Sequence, residues 1–132
     1  MIKKIDHVAL AVQNAGEVSA LLSKLFGFEV TDTLEEPEAG FISTMVSTAG
    51  VRLELLQPAG PHGMIQKFME KRGGGLHHIS LQVDDLDREM KRLKALGVQF
   101  VSEEPMQMED ASLVFVHPKS TGGLLIELVQ KK

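Results

Sequence analysis

The chain carries nearly the same message twice, and this internal repeat constrains its fold more than any other feature. Residues 5–12, "IDHVALAV", align with residues 76–83, "LHHISLQV". Residues 50–57, "GVRLELLQ", align with residues 123–130, "GLLIELVQ". In the first half a strand over 5–12 is followed by Asn14, a helix N-cap with Glu17 three residues on. Val18, Leu21, Leu22 and Leu25 recur at helical spacing, and Gly27 ends the helix. Strands over 28–33, 41–47 and 51–57 complete the unit. The acidic run "EEPEAG" over 35–40 reads as a solvated loop, and Ala49-Gly50 as a turn.

The second half repeats this order. A strand over 76–83 leads to a cap at Asp84 or Asp85, and Leu86, Met90 and Leu93 mark one helix face. Gly97 ends that helix. A strand over 98–103, a loop over 104–110, and strands over 113–117 and 124–130 around "PKSTGG" follow. Between the halves lie the breaker cluster "PAGPHG", a short amphipathic segment over 64–71 and the glycines 73–75. The expected fold is therefore α+β. Two βαβββ modules in tandem are expected to form a curved mixed sheet around a cleft, with helices on the outside. One domain covers residues 1–132: module one about 1–60, a linker helix about 61–73, module two about 74–132.

Composition narrows the function classes. A chain of 132 residues that is 43% hydrophobic has the material for a real core. A net charge of −4, with both signs mixed along the chain, gives no footprint for nucleic acid, and the absence of Trp and Tyr removes the usual stacking platforms. The lack of cysteine excludes disulfides and thiolate metal sites. No run of residues is long and apolar enough for a bilayer, and no signal-peptide core follows Met1, so a soluble cytoplasmic protein is expected.

Adjacent side chains of a strand point to opposite faces. Val8, Leu10 and Val12 share one apolar face, with Ile79, Leu81 and Val83 as its counterpart; these faces should carry the helices. His7 lies opposite, beside Ala9 and Ala11, and the repeat matches it to His78, beside Ser80 and Gln82. The small and polar neighbours point to a lined cavity. His77 falls on the apolar face and reads as a partly buried structural histidine. Glu54 and Glu127 match in the same way, each within an otherwise apolar strand. A lone buried carboxylate is costly and needs a partner. A single strand histidine or glutamate is ordinarily structural, but two of each at equivalent positions offer one shared partner, a divalent metal. His7, Glu54, His78 and Glu127 would suit Co, Ni, Zn or Mn, with Fe also compatible, and would leave two positions of an octahedral ion open.

These residues resemble the vicinal oxygen chelate superfamily of glyoxalase I, extradiol dioxygenases and methylmalonyl-CoA epimerases, and within it the epimerase branch. The resemblance covers nearly the whole chain through "KIDHVALAV", "LELLQP", "KFMEKRGGGLHHISLQVDDLD" and "FVHPKSTGGLLIEL". It implies a metal bound by His7, Glu54, His78 and Glu127, an acyl-CoA substrate and a homodimer. The implied reaction interconverts the 2R and 2S forms of methylmalonyl-CoA through α-proton abstraction and enolate stabilisation. Some epimerases carry a second acid/base glutamate where this chain has Ser43, and serine is a poor base for a carbon acid. The pseudo-twofold then leaves Glu127 and Glu54 as the catalytic pair, Glu127 on the family likeness and Glu54 on symmetry. The loop "MQMEDAS" over 106–112 lacks the glycine-rich turn usual in that branch.

Lys119 and Ser120, in the turn before the last strand, are candidate substrate-binding residues for a carboxylate or a CoA phosphate; a plain solvated turn is the blander reading. His117 and His62 read as structural and exposed, respectively. Met64, Phe68 and Met69 read as packing residues. A glyoxalase I-type lactoylglutathione lyase is the alternative activity, since the bacterial enzyme uses a similar ligand set. A non-catalytic binding protein of this fold would be expected to have a broken ligand set. An extradiol dioxygenase needs only two histidines and one carboxylate.

Overall fold

A computed structural model describes all residues, Met1–Lys132. Eight strands, parallel and antiparallel, and three helices give an α+β fold. The chain divides into two compact units, His7–His77 and Met1–Asp6 with His78–Lys132. No helix is long and apolar enough to cross a membrane.

The first unit holds half of β1 (Ile2–Ala11), from His7 onward, then α1 (Ala15–Phe26), β2 (Glu29–Glu36), β3 (Phe41–Thr48), β4 (Val51–Pro58) and α2 (Met64–Arg72). The strands lie in the order β2-β3-β4-β1. β1 runs parallel to β4, with Ala9 beside Glu54, and β3 is antiparallel to both β2 and β4. Asn14 caps α1 by accepting from the Glu17 amide at 3.0 Å, and Gly27 closes it with a left-handed φ of 78°. Ala15, Phe28, Val46 and Leu55 form the core under α1, with Leu10, Val12, Val18 and Leu22 packed against them. The apolar face expected of the first strand therefore does carry its helix.

The opposite face of the same strands departs from expectation. Ala9 and Ala11 do not line a cavity; both are fully enclosed, packed with Leu56 and with Ile65, Phe68 and Met69 of α2. The small side chains of the alanines let a helix approach the strand backbone closely. The apolar stripe of α2 has no other surface to bury, so the linker helix fills the space. Its entry is tight: Gly40 and Gly63 have φ of 79° and 112°, and a Cβ on either would collide with backbone of the other's segment.

The second unit holds β5 (Gly75–Val83) from His78 onward, α3 (Leu86–Ala95), β6 (Met106–Gln107), β7 (Ala111–Val116) and β8 (Ile126–Lys131), in the order β5-β8-β7-β6. β5 runs parallel to β8, with Ser80 beside Glu127, as Ala9 stands beside Glu54 in the first unit. Asp85, rather than Asp84, caps α3, accepting from the Arg88 amide at 3.0 Å. Val83, Leu86, Met90, Val114, Val116 and Leu128 are the core, joined by Leu81, Leu93, Val98 and Phe100.

The strand expected over 98–103 is not formed. Phe100 makes an isolated bridge with Val116, and the Val101 amide reaches the Phe115 carbonyl at 2.9 Å. The chain then bends through Ser102–Glu104, before Pro105, which has no amide to donate. Regular pairing resumes at β6, inside the segment read as a loop, where Met106 and Gln107 face Leu113 and Ser112. The acidic loop is also shorter than expected, because Glu35 and Glu36 continue β2.

Candidate functional site

Each unit carries one histidine and one glutamate on the strand face turned away from its α1-type helix. In the first unit, β1 presents His7 and β4 presents Glu54, with His7 Nε2 3.4 Å from Glu54 Oε1. The other carboxylate oxygen, Oε2, accepts a hydrogen bond from Ser43 Oγ on β3 at 2.7 Å. In the second unit, β5 presents His78 and β8 presents Glu127, with Nε2 4.0 Å from Oε2. Glu127 Oε1 accepts from Ser80 Oγ at 2.6 Å. The His78 ring stands edge-on to Phe115 at 5.2 Å between centroids, which fixes its plane by packing. All four side chains are largely withdrawn from solvent, His78 and Glu127 more completely than His7 and Glu54.

In the first unit His7 and Glu54 set an imidazole nitrogen beside a carboxylate oxygen, and in the second His78 and Glu127 do the same. Two imidazoles with carboxylates suit a borderline-soft divalent ion. The residues present therefore fit the metal expected from the sequence in kind, each unit supplying one imidazole and one carboxylate.

The adjacent histidine behaves differently. His77 is buried and meets Phe68 of α2 edge-on, with ring centroids 5.0 Å apart. Burial lowers its basicity below the usual histidine value, and the charge of Glu54 opposes that only in part. His77 is thus a neutral packing residue, as its parity implied, although it sits against α2 and not in the α3 core.

The matched ends of the two repeats have a role that the sequence reading passed over. Gln57 Oε1 accepts from the Ala15 amide at 2.8 Å, and Gln130 Oε1 accepts from the Leu86 amide at 2.7 Å. Each glutamine satisfies an amide at the start of a helix and so ties that helix to the strand bearing the site glutamate. Their identical place in the repeat was the available signal. The serine partners of the glutamates gave no comparable signal, since Ser43 and Ser80 sit in strands that carry other polar residues.

Lys119 and Ser120 lie on a 3₁₀ turn, Pro118–Ser120, and are exposed. With Leu96, Gly97, Val98 and Gln99 they line an open depression of about 330 Å³ to which none of the four His/Glu residues contributes. Ser120 Oγ accepts from the Gln99 amide at 2.9 Å. His117 Nδ1 accepts from the Lys119 amide at 3.1 Å, a structural role.

Comparison with known proteins agrees with this geometry. Residues 6–115 match the Glyoxalase/Bleomycin resistance protein/Dioxygenase superfamily. The mitochondrial methylmalonyl-CoA epimerase of Dictyostelium discoideum is 36% identical over 132 residues, covering 98% of this chain and 80% of that protein. An ethylmalonyl-CoA/methylmalonyl-CoA epimerase of Cereibacter sphaeroides is 35% identical, covering 98% and 99%. The crystal structure of methylmalonyl-CoA epimerase from Mycobacterium tuberculosis superposes with a TM-score of 0.91 at 28% identity, covering 99% of this chain and 89% of that one. Two repeated strand pairs, each bearing a histidine and a glutamate, and likeness over nearly its full length establish that this chain belongs to the glyoxalase/bleomycin resistance protein/dioxygenase superfamily and is homologous to its methylmalonyl-CoA epimerases.

Proposed function

We propose that this chain is a metal-dependent epimerase that interconverts the 2R and 2S forms of methylmalonyl-CoA. The observation that carries the reading is the matched pair of carboxylates, Glu54 and Glu127, each beside an imidazole at an equivalent repeat position. It is supported by homology to epimerases over 96–99% of the chain.

The α-carbon of a 2-methylmalonyl thioester lies between a carboxylate and a thioester carbonyl, so its proton is removable once the developing negative charge is stabilised. A divalent cation held by His7, Glu54, His78 and Glu127 would supply that stabilisation as a Lewis acid. The remaining work falls to side chains. Inverting the centre needs one base on each face of the α-carbon, and Glu127 and Glu54 come from separate repeats. In this scheme Glu127 starts ionised and removes the proton from one epimer, while Glu54 starts protonated and delivers its own proton to the other face; the reverse direction starts with the two protonation states exchanged. Burial excludes bulk water, which otherwise would weaken both carboxylates as bases. Ser43 stands where some epimerases have a further glutamate, and its hydroxyl is directed to Glu54. Lys119 supplies an exposed ammonium for the anionic end of the substrate. Ser120, whose oxygen accepts from Gln99, keeps its own O–H to donate.

A glyoxalase I-type isomerase is the second reading, and the absence of a third carboxylate at Ser43 favours it. Both would move a proton next to a carbonyl. One experiment separates them: incubation with methylmalonyl-CoA in D₂O, following the α-proton by NMR, alongside the methylglyoxal–glutathione adduct. Exchange of the methylmalonyl α-proton that stops on chelation and returns on adding Co²⁺ is expected. Turnover of the glutathione adduct alone would replace the epimerase reading with the glyoxalase one.

A further inference from the structure

The two oxygens of each site carboxylate have different partners, and the division is the same in both units. Glu54 turns Oε1 toward His7 at 3.4 Å and gives Oε2 to Ser43 at 2.7 Å. Glu127 turns Oε2 toward His78 at 4.0 Å and gives Oε1 to Ser80 at 2.6 Å. Both serine contacts have the length of strong O–H···O⁻ hydrogen bonds to an ionised acceptor. Ser80 is fully enclosed and Ser43 is 7% exposed, so water competes poorly for either bond.

The serines are not copies of each other. In the repeat alignment Ser80 falls on Ala9, on the first strand of its module. Ser43 lies on the third strand, two residues before Met45, the residue opposite Glu54. The counterpart of Met45 is Phe115, opposite Glu127. Duplication therefore explains the glutamates but not their serine partners. The same hydrogen bond has been reached from two different strands, which points to a requirement and not to ancestry.

We infer that Ser43 and Ser80 are positioning residues that hold Glu54 and Glu127 as one-oxygen ligands. This rests on the metal-dependent function proposed above. A hydroxyl bond to one carboxylate oxygen would hold that oxygen toward the serine and favour the partner oxygen as the one offered to an ion. Two imidazoles and two single oxygens would fill four positions of a six-coordinate ion and would leave two for a substrate that chelates through its carboxylate and thioester oxygens. If both carboxylates closed onto the ion with both oxygens, all six positions would be taken and the substrate would have none. The serines would then set the number of open positions without touching substrate.

The test counts water on Mn²⁺ bound to the full chain, by water-proton relaxivity at matched metal occupancy. Mn²⁺ in the wild type should hold about two exchangeable waters, the positions left open on a six-coordinate ion. Ser43→Ala and Ser80→Ala should each release a carboxylate oxygen to the ion and lower the bound-water relaxivity by about half, one water of two. Ser43→Thr, which keeps the hydroxyl, should retain the wild-type value. Ser43→Ala carries the test alone if the more enclosed Ser80→Ala does not fold. One Mn²⁺ per chain with relaxivity unchanged in the alanine variants would overturn the positioning role while leaving the metal-dependent reading intact. Failure of the wild type to bind Mn²⁺, Co²⁺, Ni²⁺ or Zn²⁺ would overturn that reading, and this inference with it.

Discussion

Exchanging the two neighbouring histidines for alanine, one at a time, should separate stability from metal binding. His77 packs its buried ring edge-on against Phe68 at 5.0 Å. Such an edge-to-face contact contributes about 0.5–1.5 kcal/mol beyond area burial. Burial of the ring adds about 1–2 kcal/mol, somewhat less than for a full aromatic or aliphatic side chain. His77→Ala should therefore cost about 1.5–3.5 kcal/mol. With an unfolding entropy of about 2.1 cal/mol/K per residue over 132 residues, that is a fall in Tm of roughly 5–13 °C. Its metal affinity should stay near wild type.

His78→Ala should instead weaken metal binding. If binding of a transition ion by four protein ligands is on the order of 10–16 kcal/mol, one ligand accounts for about 2.5–4 kcal/mol, or roughly 10²–10³-fold in affinity. His78 is as buried as His77 and makes a matching edge-on contact with Phe115, so its loss should lower Tm of the metal-free protein by a similar amount, and metal affinity is what separates the two variants. Calorimetric titration with Co²⁺ and thermal melts of metal-free protein read both effects. A His77→Ala protein that loses the ion, beside a His78→Ala protein that keeps it, would show that the assignment of strand faces in β5 is inverted.

Two further outcomes follow from the same contacts. Gln57→Ala and Gln130→Ala should each cost about 1–2 kcal/mol, because each leaves a helix-start amide without the side-chain oxygen that satisfies it; chemical denaturation measures both, and a loss below about 0.3 kcal/mol would contradict the role. The Arg92 guanidinium, bonded at 2.8 Å, holds the Glu89 carboxyl below its ordinary carboxylate value. A depressed folded value means the stabilisation is present above the ordinary pKa of 4.5 and is lost as pH falls through the lower folded value. The decline of Tm below pH 4.5 should be shallower in Glu89→Gln, and an identical acid limb in both proteins would remove Glu89 from the account.

How much of this was legible in the sequence depended on whether the repeat carried it. His7 and His78, Glu54 and Glu127, and the helix-bearing faces led by Leu10 and Leu81 all recur at matched positions, and alignment of the halves located them. Features outside the repeat were misread or missed. The α2 helix has no copy, so the sequence offered no reason to place Ile65 over Ala9 and Ala11, and small side chains were taken for a cavity lining. Ser43 and Ser80 serve the same purpose from non-equivalent strands, so no alignment could pair them. The strand over 98–103 was expected because Val98 and Phe100 alternate. Both do face the core, but their segment makes only one bridge before bending toward Pro105. Burial pattern alone cannot distinguish a strand from an extended segment whose backbone bonds are mostly unpaired with a neighbour.

The central claim is that two duplicated histidine–glutamate pairs act on one cation. Stoichiometric titration of metal-free protein with Co²⁺, repeated on His7→Ala, Glu54→Ala, His78→Ala and Glu127→Ala, tests it directly. The account predicts one tightly bound ion per chain, weakened in every one of the four variants. Two ions per chain, or a tight ion that survives loss of both His78 and Glu127, would mean that the halves act separately.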